Sequence, residues 1–428
     1  IRNYDWSELY FGDGFDVVPN VKDNRYGYAM SQGGNVVYYD RLTGRNRFVK
    51  PVEDDSIPLR FNWNAAIAQD PYRECGVYFG SQYLHYSQDC GRSWEKLSGD
   101  LTTNDTTKQH QDISGGLTID ATNAENYTTI ISIAPSPLDE NMVWVGTDDG
   151  NLQLTLDKGK TWKNLSTNMQ GLPKGSWMAQ VTPSSFDKNS AVVVVNNYRR
   201  NDFKPYLFST HDGGKTWKNL VANAGIESFT LSFVQDYLNK NLMLLGTDQG
   251  LYVSFDVGEH WQLWNEGGLP RVQISDMIMQ KDADALVVGT FGRSIYVLDN
   301  LKVLRAIAQN KMVLNEKMAI LTDEISGKKL SIKPVDGIRF VAQGDFIGEN
   351  RSFQPSIPIW INPEGDPMKN VKVKVKIIDT HEDTIRTFTA ELSKGLNFIN
   401  WNMCVDGVRY PGSKKLKKDE DLPSGYQV

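Results

Sequence analysis

Short apolar runs, each closed by a cluster of Gly, Asp, Asn and Ser, recur along residues 11–299. Leu251–Phe255 is one of them, and it alternates in the period of two that marks a strand. Val145–Gly150 and Leu245–Gly250 read as a strand running into a Gly-containing hairpin turn, with Tyr78–Gln82 and Val288–Gly292 as looser counterparts. A further apolar run precedes them, at Thr129–Ala134, Phe229–Val234 and Ile274–Met279. Helical spacing is met at Leu301, Leu304, Ile307 and Ala308, which predicts a short helix. Alternation returns after Ser352, in Pro358–Ile361, Val371–Ile378, Thr384–Leu392 and Leu396–Trp401. The strict alternation over 371–377 predicts a strand with one buried and one wet face.

The strands are punctuated by a repeat. Ser/Thr-x-Asp-x-Gly-x-x-Trp occurs at Ser87, Asp89, Gly91, Trp94; at Thr155, Asp157, Gly159, Trp162; at Thr210, Asp212, Gly214, Trp217; and at Ser254, Asp256, Gly258, Trp261. The tryptophans stand 68, 55 and 44 residues apart, and the shortest spacing matches a four-stranded propeller blade. The longest holds a polar insertion, Ser98–Asn126. Each copy predicts the turn between two strands. The Asp accepts backbone N–H bonds inside the turn, Gly supplies a positive φ, and Trp folds its apolar face over the hairpin. The four carboxylates therefore read as structural.

Six units follow, at approximately 11–58, 59–98, 125–166, 175–221, 226–265 and 270–299. The first keeps a hairpin but lacks the motif, and the sixth replaces it with an exit at Ser294–Asp299. The expected organisation is all-β: propeller blades over 1–300, a linker with a short helix over 301–345, and an immunoglobulin-like β-sandwich over 346–428. A start at Ile1 leaves room for further blades upstream, and the sandwich is expected to be cut short at Tyr426–Val428.

Composition narrows the function classes. With 40% hydrophobic and 23% charged residues the chain is globular, and a net charge of −6 without a basic stripe excludes a nucleic-acid partner. Lys414, Lys415, Lys417 and Lys418 are followed at once by Asp419, Glu420 and Asp421 and read as a solvated loop. No run is long and apolar enough for a transmembrane segment. Cys75 and Cys90 flank a predicted hairpin, either bonded or as two small hydrophobes, and Cys404 reads as core beside Trp401.

These residues carry a resemblance. The four motifs, the Gly-Thr-Asp-x-Gly hairpins and the closing string 289–299 resemble the sortilin-type family of Asp-box, or bacterial neuraminidase repeat, β-propellers, and in particular its large exported members in Bacteroidetes. Phe11–Asp16, Arg60–Asn64, Asp100–Thr102, Gly395–Trp401 and Pro423–Val428 fit the same comparison. The resemblance implies an exported location, extracellular, at the cell surface or in the periplasm. It leaves function open, because a fold is shared by enzymes and binders.

As a binding or scaffolding module at the cell envelope, the propeller would hold a protein or glycan ligand at its channel or rim, within an envelope complex. Arg60, Trp63, Asn64, Trp177, Gln180, Asp276 and Arg293 are the expected channel or rim residues, with the loop Tyr198–Asp202 as a second contact. The alternative is a glycoside hydrolase of xyloglucanase or sialidase type, which needs two carboxylates facing one cleft or a Tyr nucleophile with an arginine cluster. Asp13, Asp16, Asp148, Asp149 and Asp276 are its candidates, but none sits in a recognisable catalytic motif and no arginine triad is visible, so no catalytic residue is assigned. His85, His110, His211, His260 and His381 lack metal-ligand spacing, and neither a calcium loop around Asp148–Asp149 nor a phosphate-binding loop is complete. No cofactor or metal is implied.

Overall fold

The computed structural model describes residues 7–53, 58–109, 126–299, 301–321, 354–364, 370–408, 416–417 and 420–427. His110, most of the 314–345 stretch, and Lys414, Lys415 and Lys418 lie outside these residues.

Among them the chain is all-β and propeller-like. Five four-stranded antiparallel sheets, over 14–48, 67–96, 130–164, 177–219 and 230–264, precede a three-stranded one over 274–299. Each sheet is a blade that runs up and down in chain order. Blade 5, for example, consists of Thr230–Gln235, Met243–Thr247, Gly250–Ser254 and Gln262–Trp264. The first strands of successive blades lie beside one another and form the inner wall. The middle strands are apolar on both sides, as Ala191–Asn197 shows with its run of four valines, because each blade is covered by a neighbour on both faces. The cores lie between blades: Tyr28, Met30 and Phe79 join blades 1 and 2, and Val194, Leu207 and Leu245 join blades 4 and 5. Burying each such side chain contributes roughly 1.5–3 kcal/mol.

The four recurrent turns share one geometry. In the second, Thr155 Oγ1 donates to Asp157 Oδ1 at 2.8 Å and accepts from Gly159 N at 2.9 Å. Thr161 donates its N–H to Oδ1 at 2.9 Å and its hydroxyl to Oδ2 at 2.6 Å. The residue after each Asp also has a positive φ: Cys90, Lys158, Gly213 and Val257 at 59°, 58°, 71° and 60°. The glycine behind it seats against the outer strand's end in the preceding blade. A Cβ on Gly91, Gly159, Gly214 or Gly258 would meet Val49, Leu97, Leu165 or Leu220 at 2.5–2.9 Å. The turns are thus seams between blades as well as hairpin staples.

In blade 5 the corresponding position is Trp264, paired with Leu251 as Leu220 is with Leu207. Blade 6 has no such turn. The helix Lys302–Gln309 follows instead, and its Val303, Leu304 and Ile307 join the core that contains Trp264. Cys75 and Cys90 are disulfide-bonded, with Cα atoms 4.5 Å apart, and Cys404 is half-buried.

Downstream, Met318–Ile320, Ser356–Ile361 and Gly395–Asn400 make one sheet and Val371–Ile378 pairs with Thr384–Leu392 in another. Met318–Ile320 lies inside the stretch expected to be linker. The inward faces, with Ile359, Ile361 and Ile399 against Val373, Val375 and Phe388, share a core. A short pair joins Cys404–Asp406 to Ser424–Gln427. This part adjoins blade 5, where Leu396 N donates to Glu266 at 2.9 Å.

Candidate binding rim

Up-and-down connectivity puts the start of every inner strand, the turn between second and third strands, and the connections between blades at one end of the array. Arg60, Trp63, Asn64, Trp177, Asp276 and Arg293 all fall at that end.

Of these, Arg60 reaches the segment Tyr127–Thr129, which enters the inner strand of blade 3. Arg60 pairs with Asp100 at 2.7 Å, donates Nε to Thr128 O at 3.3 Å, and its backbone N–H is held by Gln82 at 2.8 Å. Its neighbour Asn62, buried, donates to Thr129 Oγ1 at 3.0 Å and to Asp148 Oδ2 at 3.2 Å. Asp148 also accepts from Thr129 N at 2.9 Å and Oγ1 at 2.6 Å. Burial first, and the adjacent Asp149 second, push its carboxyl up to about 8, so it carries a proton at neutral pH. Asp149 is occupied by Thr103 and Thr147. Neither acid is free to act on a ligand. Thr128, β-branched, is held at φ 58°, a strained conformation of the kind that collects at functional sites.

On the other side of this segment stands Arg200. Its guanidinium donates to Tyr127 Oη at 2.7 Å, to Lys174 O at 3.3 Å and to Gly175 O, all neutral acceptors. Arg199 lies over the Trp177 ring, 3.8 Å from its centroid, and over Tyr198 at 4.5 Å. Tyr198 in turn stacks on Phe229 at 4.4 Å. Trp177, Arg199, Arg200 and Gly175 line a small cleft whose floor includes Asp148.

The remaining candidates are placed apart. Gln180 is used in a seam: it donates to Phe233 O and accepts from Phe233 N, both at 2.8 Å. Trp63 is half-buried with its carbonyl accepting from Gly33, while Asn64 is exposed. Arg293 is exposed in the last turn of blade 6. Asp276, on the inner strand of blade 6, accepts from Met277 N at 2.8 Å. It bears on Asp16 on the inner strand of blade 1, whose carboxyl is pushed up to about 6 by burial first and Asp276 second. Both residues nonetheless expose surface to solvent.

Tyr127 was not legible in the sequence, since nothing marks an isolated Tyr at the edge of a polar insertion. Arg199 and Arg200 were expected only as part of a second contact loop, because the pairing of Arg200 with Tyr127 crosses blades and that of Arg199 with Trp177 joins residues 22 apart in blade 4.

No family model matches the chain, and no curated protein matches it. Among solved structures it is similar to an ancestral GH74 enzyme, at 13% identity and TM-score 0.47, over 68% of this chain and 37% of that one. It is also similar to the extracellular domain of a protein described as a hybrid two component system from B. thetaiotaomicron, at 15% identity and TM-score 0.44, over 69% and 34%. A third is the GH74 xyloglucanase from Xanthomonas campestris, at 15% identity and TM-score 0.40, over 69% and 54%. The chain spans well under two thirds of the length of each. Among the described residues no helix is long and apolar enough to cross a membrane.

Proposed function

We propose that this chain is an exported Asp-box propeller, over about 1–300, with an immunoglobulin-like sandwich over 346–428, that binds a protein or glycan segment at its rim as part of a cell-envelope assembly. The observation that carries the reading is the pair Arg199–Arg200 beside Trp177, with Arg200 donating, among the described residues, to the neutral oxygens of Tyr127, Lys174 and Gly175. Such a guanidinium keeps its charge available, and the aromatic beside it offers an apolar plane. That combination suits a carboxylate-bearing sugar or an acidic peptide. The Cys75–Cys90 bond supports an oxidising location. Arrays of neutral and acidic glycans and of acidic peptides test the reading. Binding to an acidic class, weakened at least about tenfold in Arg199→Ala/Arg200→Ala, is expected from the loss of charge-assisted bonds. Equal binding by that variant would sink it.

Asp16 and Asp276 favour a second reading, a glycoside hydrolase, because two inner-strand carboxyls are both raised by burial and Asp276 adds to the rise at Asp16. Reducing-sugar release from polysaccharides, lost in Asp276→Asn and Asp16→Asn, distinguishes it from binding alone.

A further inference from the structure

The last complete blade shows what a covered face looks like, and blade 6 shows the same face uncovered. In blade 5 the row Val234–Leu244–Val253 faces blade 6, and Leu244 and Val253 are both 0% exposed. The row in the same register on blade 6 is Ile278–Val287–Val297. Its residues are as apolar, yet Ile278 is 64% and Val297 52% exposed. Isolated exposed apolar residues are ordinary, but a whole cross-strand row repeated from a buried interface is not.

A glycine gives the second, independent observation. Gly80, Gly146 and Gly246 hold one position on the second strand of their blades, and none needs a positive φ. What they share is close approach: a Cβ would strike the next blade's inner strand, at Ile130, Met178 and Ile274, at 2.7–2.8 Å. Gly289 holds the same position in blade 6, and a Cβ there meets nothing nearer than its own blade's Asp276, at 3.6 Å. Among the described residues, nothing from another blade enters the space that the missing side chain leaves. On the far flank, blade 1 leaves Val17 and Phe48 48% and 58% exposed, in one row with Ala29 and Val37, which are buried in a cluster against which Leu9 and Tyr10 pack.

We propose that the outer face of blade 6 is an inter-blade interface that receives a further propeller blade, whose inner strand sets an Ile- or Met-like side chain against Gly289. The occupant continues the blade 5–blade 6 contact, with the same row geometry and the same glycine gap. This inference does not depend on the rim's ligand.

A copy of residues 226–269, joined ahead of the 428-residue chain, supplies such a blade for the test. Amide hydrogen exchange over Leu286–Gly289 and Ile295–Val297 should slow at least about tenfold in the fusion, because covered strands open only with larger units. Gly289→Leu should restore fast exchange in the fusion. In the chain without the extra blade it should leave the urea midpoint unchanged, whereas Gly80→Leu, which strikes only the next blade's Ile130 and Ile133, should lower it. The proposal is overturned if the added blade leaves exchange unchanged, whether or not that blade folds. It is equally overturned if Gly289→Leu destabilises the unfused chain, which would mean the face is already covered within it. Concentration-dependent doubling of the unfused chain's mass, with these strands protected, would assign the face to a second copy instead.

Discussion

Gln180 of blade 4 and Phe233 of blade 5 exchange two hydrogen bonds, side-chain amide to backbone, each 2.8 Å long. The amide imitates a strand and pairs with the neighbouring blade's inner edge, so a residue expected to face a ligand serves as a clamp between blades. Removing it leaves a buried donor and acceptor without partners, and each such loss costs about 1–3 kcal/mol. Gln180→Ala should therefore lower unfolding stability by about 2 kcal/mol or more, read from a urea titration. Gln180→Glu should be nearly as costly at pH 7 and milder at pH 4, because only the ionised carboxylate repels Phe233 O. A variant that loses ligand binding at unchanged stability would return Gln180 to the rim.

Asp157 shows what the recurrent turns do with their acids. Hydrogen bonds from the Thr161 hydroxyl and N–H, and from Thr155, hold its carboxyl down to about 2, against an ordinary 3.8. A lowered value means that the folded state favours the ionised form. The stabilisation is complete above the ordinary value and is lost as pH falls towards 2. Asp157→Asn should thus lower the thermal midpoint at pH 7 and flatten its fall between pH 4 and 2, a window set by those two values. An unchanged midpoint at pH 7 would show that the turn does not need the charge.

Much of the fold was legible because its signals are local. Thr155, Asp157, Gly159 and Trp162 lie within eight residues, and their hydrogen bonds close inside one turn. The six apolar units likewise map onto six sheets, since strand, turn and strand are contiguous. What stayed hidden crosses blades. Nothing in the sequence ties Arg200 to Tyr127, 73 residues away, or Gln180 to Phe233, 53 away. The positive φ at Lys158 was also unmarked, because glycine announces that conformation at only one of the four equivalent positions, Gly213. Connectivity alone sets which end of the array these residues share, while their partners required three dimensions.

The protonated Asp148 gives a pH dependence of the opposite sign. Its carboxyl is raised by burial from 3.8 to about 8, so the folded protein holds a proton that the unfolded chain releases. Stability contributed by this site is then greatest below the unfolded value and declines as pH climbs from about 4 to about 8. Asn is nearly isosteric and carries no charge at any pH. Asp148→Asn should leave urea midpoints alike at pH 4 and raise them relative to the parent at pH 8. Parallel pH profiles for the two proteins would contradict a protonated buried carboxyl.

Arg305 decides whether the helix after blade 6 is a passive exit or a working substitute for the missing turn. It emerges from Lys302–Gln309 and reaches Asp236, whose side chain is 0% exposed, at 2.7 Å, and Asp284 at the same distance. Tyr237 lies across the guanidinium with its centroid 5.0 Å away and donates its hydroxyl to Asp284 at 2.9 Å. The three charged groups thus lock the first-to-second-strand turns of blades 5 and 6 to the helix. Asp236 has no water to fall back on, and stranding a buried charge costs about 3–5 kcal/mol, well above the value of the pair itself. Arg305→Met should lower unfolding stability by about that amount, while Arg305→Met/Asp236→Asn, with no orphaned charge, should recover a large part of it. Equal losses in the single and double variants would mean that the helix is held by Val303, Leu304 and Ile307 alone, with the ions as bystanders.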